Sequence, residues 1–170
     1  NLDALQGTLH FSELRLQTAN SDFRQTTPTR ISIARGVARL ESLNAKDPNA
    51  SLAASGSIDL KGEQRLQLDA AADMRLAALA GLVAPLESAG RIQLEAHVGG
   101  TLIEPRITGF VTLQQAALSL PDPQLQATEV NLKATVAGDE IKIGEFNGML
   151  NGGRFTGGGD LKITRGNVVG

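Results

Sequence analysis

The chain has no cysteine, no tryptophan and no tyrosine, and only two histidines and five phenylalanines in 170 residues. Without cysteine there is neither a disulfide framework nor a thiolate metal site, and thiol content says nothing of redox compartment. Aromatics at 3% exclude a recognition surface built on Tyr and Trp anchors, which dominate the energetics of most interfaces. Any core must be aliphatic. Charge is also nearly balanced: 16 Lys and Arg against 18 Asp and Glu give a formal net charge of -2. No basic run and no interleaving of bases with aromatics occurs, so the electrostatic footprint of nucleic-acid binding is missing and no nucleic-acid partner is expected. The opening residues, NLDALQGTLHF, have neither a basic n-region nor an apolar h-region. The longest apolar stretch, LAALAGLVAPL at 76–86, is too short to cross a bilayer. The chain is therefore expected to be a fragment, with any export signal or anchor outside it.

Equipment for chemistry is equally sparse. His10 and His97 each fall on the polar side of a strand-like alternation, with no nucleophile or orienting group placed beside them as general-base catalysis requires. Carboxylates are scattered singly, and DPNAS (47–51) and AGDE (137–140) read as turns, not ligand sets. The glycine-rich NGGRFTGGGD (151–160) lacks the Lys-Ser/Thr end of a phosphate loop and opens no helix. It reads as a tight corner between strands, where glycine tolerates close backbone approach. NAS at 49–51 fits a glycosylation acceptor, a pattern common by chance. No catalytic residue, metal site or cofactor is expected, and the chain is read as a non-enzyme.

What is present is alternation. Leu9 and Phe11, Leu14 and Leu16, and Ile31 and Ile33 mark the first strands, with a parity switch at Ser12 and Glu13. In SLAASGSIDLKGEQRLQLDA, Leu52, Ala54, Gly56, Ile58 and Leu60 share a face, KGEQ turns, and Leu66, Leu68 and Ala70 return on that face. Ser51, Ser55, Ser57, Asp59, Gln67 and Asp69 occupy the other. The rhythm resumes with Ile92, Leu94, Ala96 and Val98, then Ile107, Gly109, Val111 and Leu113, and then Leu118 and Leu120. Val130, Leu132, Ala134 and Val136, then Ile141 and Ile143, and finally Leu161 and Ile163 complete it. One-sided alternation predicts antiparallel strands with one wet face, holding well over half of the residues.

One segment departs from that period. Leu76, Leu79, Ala80, Val83 and Leu86 have helical spacing and Asp73 can cap them, so a single short helix is expected within 73–86, weakened by Gly81 and Pro85. An internal repeat is also visible. ISIARGVARLESLNAKDPNASLAASGSIDL resembles VNLKATVAGDEIKIGEFNGMLNGGRFTGGGDL in its order of features, with Leu60 answering to Leu161 at a displacement of roughly a hundred residues. The expected organisation is one fragment of a repeating domain over 1–170, with units of about 1–72 and 90–170 and the helix between them.

The stretch GRIQLEAHVGGTLIEPRITGFVTLQQAALSLP resembles the AsmA-like superfamily, and within it the TamB family of translocation and assembly module subunits. The likeness rests on Gly90, Arg91, Val98, Gly100, Thr101, Leu102, Pro105, Ile107, Gly109, Val111 and Leu113. It extends over 52–163 and is poorer over 1–50. The resemblance implies an all-β, mainly antiparallel fold: a long curved sheet folded like a taco, aliphatic inside and polar outside. It further implies the periplasmic part of an inner-membrane-anchored protein, with a phospholipid or an unfolded β-strand as cargo. An outer-membrane partner of the barrel-assembly type, and help with the assembly of outer-membrane β-barrels and autotransporters, are implied with it.

The groove would be lined by Leu52, Ala54, Ile58, Leu60, Leu66 and Leu68, then Ile92, Leu94, Ala96 and Val98, then Ile107, Val111 and Leu113, and finally Val130, Leu132, Val136, Ile141 and Ile143. An alternative stays open: a structural β-repeat, of adhesin or β-helix type, in which the same side chains are closed core. Exposed edge strands are expected to let the fragment self-associate.

Overall fold

In the computed structural model, described for residues 5–17, 22–79, 87–120, 124–164 and 167–169, strands hold 81% of the described residues in one long antiparallel sheet that is not closed. The strands are β1 (Gly7–Phe11), β2 (Arg15–Gln17), β3 (Asp22–Gln25), β4 (Thr29–Ala34), β5 (Val37–Asp47), β6 (Ala50–Asp59) and β7 (Leu66–Arg75). They continue with β8 (Glu87–Gly100), β9 (Pro105–Leu120), β10 (Leu125–Ala137), β11 (Glu140–Leu150), β12 (Gly153–Thr164) and β13 (Asn167–Val169). The order across the sheet is β1-β4-β5 and then sequential to β13, while β2 pairs β3 and β3 rejoins β5. From β4 onward this is a meander, in which each strand pairs with the one before it. The turns fall where the sequence places them, at Pro48–Asn49, over 61–64 and at Gly138–Asp139. Of NGGRFTGGGD only Asn151–Gly152 is a corner; Gly157, Gly158 and Gly159 lie inside β12.

The expected helix gives way to strand. Asp73 and Arg75 are the last residues of β7, and a single 3-10 turn at Leu76–Leu79 follows; residues 80–86 lie outside the described residues. The cause is the ladder. β7 pairs β8 without interruption from Leu68↔Val98 to Arg75↔Arg91, and Asp73 uses its carboxylate on Arg91 of the next strand instead of capping a helix. Neighbouring strands outweigh a local 3.6-residue spacing, as tertiary context commonly does.

The register reveals a duplication. Leu40 pairs Gly56, and Ile143 pairs Gly159, each position lying 103 residues after its counterpart. The register shifts correspond as well: Leu40/Leu43 matches Ile143/Phe146, and Arg30/Ile31 matches Lys133/Ala134. Further back, Arg15↔Arg24, Leu16↔Phe23 and Gln17↔Asp22 match Leu118↔Ala127, Ser119↔Gln126 and Leu120↔Leu125 at the same displacement. Leu60 therefore answers to Ile163, two residues beyond the position that sequence similarity suggests. By position, β3 and β4 together correspond to β10, and β2 corresponds to the end of β9.

Little of the molecule is buried. Ala116, Val130 and Ala134 are covered, with Phe23, Ala50 and Thr29, and among the described residues no large side chain is fully enclosed. The first three lie at or beside the register shifts of β9 and β10. Bulges bend a strand and increase its twist, which brings cover to the face at these three positions.

Candidate functional site

Residues directly opposite in an antiparallel ladder project to the same side, so register alone assembles the apolar face. One row runs Ala45, Leu52, Ala72, Leu94, Val111, Ala134, Ile143 across β5 to β11. Beside it, Leu43, Ala54, Ala70, Ala96, Gly109, Val136, Ile141 and Leu161 form a second row reaching β12. Outside these lie Leu40, Gly56, Leu68, Val98 and Ile107 on one flank, and Ala50, Met74, Ile92, Leu113, Leu132 and Phe146 on the other. Ile58 and Leu66 pair with each other at one end. The second row is built of alanine and glycine from β6 to β9, so it is a low floor between higher aliphatic rails. All of these rows run across the strands, along the length of the sheet.

Sixteen of the eighteen residues expected to line the groove are among those rows. Val130 faces the same way but is covered at the bulge opposite Ala116, and Leu60 lies just beyond the end of β6. The reading by alternation missed Leu40, Leu43, Ala45, Ala50, Ala72, Met74 and Phe146. Phe146 stands three residues from Ile143 because a bulge intervenes, and strict alternation loses the face at that step. Met74 was absorbed by the helical reading.

The face is open to solvent. Leu68 is 37% exposed, Leu94 41% and Ile107 45%, and each strand makes its substantial contacts with its neighbours in the sheet. No second layer lies over these residues among those described.

The opposite face consists of polar pairs. Arg91 Nη2 donates to Asp73 Oδ2 at 2.8 Å, and Gln93 Nε2 donates to the same oxygen at 3.2 Å. Arg91 Nε stands 2.6 Å from Asp73 Oδ1 as an ion pair without hydrogen-bond alignment. These bonds to Arg91, and then Gln93, hold the Asp73 carboxyl below its ordinary range against partial desolvation, and Asp73 raises Arg91 in turn. Lys133 Nζ and Glu145 Oε2 are 2.8 Å apart, and Lys133 with Asn147 lowers the Glu145 carboxyl likewise. The arrangement nearest to a catalytic pair is His97 Nδ1 with Asp69 Oδ1, at 2.7 Å. Both side chains are exposed, and His97 Nε2 lies over the Gly99 position, 3.6 Å from where a Cβ would stand. An open depression of about 430 Å³ on this face has Ala53, Ala71 and Phe110 in its lining, together with Glu41, Asn44, Glu95, Thr108 and the Asp69–His97 pair. Among the described residues no group of three or more His, Asp or Glu side chains could hold a metal ion, and no helix is long and apolar enough to cross a membrane.

No family model matches the sequence, and neither a curated protein nor a solved structure matches it.

Proposed function

We propose that the chain is a non-catalytic module of envelope biogenesis, the periplasmic part of an inner-membrane-anchored protein of the AsmA-like, TamB type, whose open apolar face shields lipid acyl chains in transit between membranes. The observation that carries this reading is the set of continuous apolar rows with no layer over them. A closed structural repeat needs that layer. At about 4.8 Å per strand, rows crossing β5 to β12 extend roughly 34 Å, and the two central rows, built of aliphatic residues and one glycine, present no ring and no polar side chain to a methylene chain. The same sheet offers a second use. Among the described residues the outer edge of β12 is unpaired before Lys162, where β13 begins to cover it, and bare edges accept extended polypeptide. Assistance to outer-membrane β-barrels and autotransporters, with an outer-membrane partner of the barrel-assembly type, belongs to this second reading. Either edge can also pair with a further copy of the chain.

Leu94→Asp separates conduit from closed core. On an open face the aspartate meets water, so the domain stays folded and loses any co-purified acyl chain. In a closed core the same change buries an unpaired carboxylate and costs several kcal/mol, enough to unfold a marginal domain. Gln93→Asp, on the wet face, is the control. Thermal melts paired with native mass spectrometry read both outcomes. Unfolding of Leu94→Asp, with no lipid found on the parent chain, overturns the conduit.

A further inference from the structure

Two Asn-Gly pairs stand close together in the sequence and in opposite settings. Asn147–Gly148 lies inside β11, with Asn147 paired to both β10 and β12 and Gly148 paired to Phe155 of β12. Asn151–Gly152 is the two-residue turn from β11 to β12, closed by Leu150↔Gly153. Its φ values of +47° and +81° belong to the left-handed region that Asn-Gly hairpin turns favour. We propose that Asn151 is a site of spontaneous deamidation and backbone isomerisation in this chain, and that the ladder protects Asn147 from the same chemistry.

The reaction needs only the chain and water. The Gly152 nitrogen gives its proton to solvent hydroxide and attacks Cγ of Asn151. The new N–Cγ bond closes a five-membered succinimide, the Cγ–Nδ2 bond breaks, and ammonia leaves with a proton from water. Water then opens the ring at either carbonyl, leaving aspartate or an isoaspartyl linkage. Closure requires the backbone nitrogen and the carboxamide carbon to meet, and so requires the backbone around them to rotate.

The two sites differ in that freedom. Asn151 and Gly152 are exposed, and nothing lies within 4 Å of the Cβ position at Gly152. Gly148 is buried, its Cβ position 3.0 Å from the Phe155 ring and 3.1 Å from Thr128 O. The Asn147 side chain is engaged at both ends: Nδ2 donates to Glu145 Oε1 at 3.0 Å, and Oδ1 accepts from Asn131 Nδ2 at 3.2 Å. Asn147 can react only when the ladder opens locally. Asn151 has one restraint, a reciprocal pair with β10: its N donates to Gln126 O, and its Oδ1 accepts from Gln126 N, each at 2.8 Å. An isoaspartyl linkage adds a backbone atom at that point and breaks the pair; plain aspartate retains an acceptor.

Incubating the intact chain at neutral and mildly alkaline pH, followed by peptide mapping with isoaspartyl detection, tests the proposal. Asn151 should convert at least about tenfold faster than Asn147, the factor set by an opening cost above ~1.4 kcal/mol. The same incubation in urea should bring the two rates toward parity, because both residues then precede glycine in unfolded chain. Equal native rates, faster conversion at Asn147, or conversion of both residues only in urea overturns the proposal. So does a preference that persists unchanged in urea.

Discussion

The two copies of the duplicated unit share the register of β2–β3, β4–β5 and β5–β6 with their counterparts, but β1–β4 and β3–β5 are each offset by one residue, and the strands differ in continuity. In the later copy, β10 runs unbroken from Leu125 to Ala137, passing a bulge with Glu129 at φ +54°, and β9 passes its own at Gln115, φ +47°. In the earlier copy each of these strands is cut in two, and β3 and β4 are separated by Thr26, Thr27 and Pro28. Pro28 is the counterpart of Asn131. Asn131 secures the bulge: its Oδ1 accepts from Gln115 N at 3.1 Å, and its Nδ2 donates to Glu129 O at 2.9 Å and to Asn147 Oδ1. Proline has neither a side-chain amide nor a backbone donor, so the strand ends there. A single pattern thus tolerates either a bulge or a break, depending on whether local hydrogen bonds can carry the chain through the irregularity.

The largest test removes the bulge of the later copy. Gly90 has φ +108°, and a Cβ there would stand 2.6 Å from Ala116 Cα and 2.9 Å from Gln114 O. β8 and β9 approach this closely because glycine leaves the space empty. Gly90→Val forces backbone apart and places a β-branched residue in the left-handed region, at a cost of roughly 3 kcal/mol or more. Urea unfolding checks it; a variant as stable as the parent would show that the bulge does not depend on that approach.

The earlier copy has its own fastening at the break. Gln25 Nε2 donates to Phe11 O at 3.0 Å and to Thr29 Oγ1 at 2.7 Å, tying the end of β1 to the start of β4, and Thr29 is buried. Gln25→Ala leaves both acceptors without that donor and should cost about 1–2 kcal/mol. The counterpart substitution, Thr128→Ala in unbroken β10, should stay within about 0.5 kcal/mol. Equal losses in denaturant midpoints would erase the distinction between the two copies.

Much of this was legible in the residues. Period-2 spacing placed Leu52, Leu94, Val111 and Ile143 on one face, and register confirms that they share a row, because alternation in a strand is a purely local property. Bulges are not local: whether Gln115 takes a positive φ is decided by Asn131 on another strand. Faces were therefore read correctly up to each bulge and lost after it, as at Phe146. The helix failed for the same reason, since the partner that claims Asp73 lies on β8. The duplication showed faintly in the sequence because its conserved content is register and shift, which different aliphatic and polar residues satisfy equally well.

The smallest test uses pH and the hairpin of β2 and β3. There Asp22 accepts from Arg15 Nε at 2.5 Å and Nη2 at 2.8 Å, and from Arg24 Nη2 at 3.0 Å. In the later copy the counterparts of Arg15, Asp22 and Arg24 are Leu118, Leu125 and Ala127, which cannot titrate. The Arg15 hydrogen bonds, with those of Arg24, hold the Asp22 carboxyl below its ordinary value. A folded-state pKa below the unfolded one contributes stability that is complete above the usual carboxylate range and is lost as pH falls through the depressed value. The group is exposed, so the global effect is slight and the loss should be local. Amide protection in β2 and β3, taken relative to the intrinsic exchange rate at each pH, should fall on acidification while that of the paired segment Leu118–Leu120 with Leu125–Ala127 stays unchanged, and Asp22→Asn should give the acid-state pattern already at neutral pH. If both hairpins loosen together on acidification, or if Asp22→Asn retains the pH response, the ion triad is not what holds the earlier copy's hairpin, and the difference between the copies lies in the break alone.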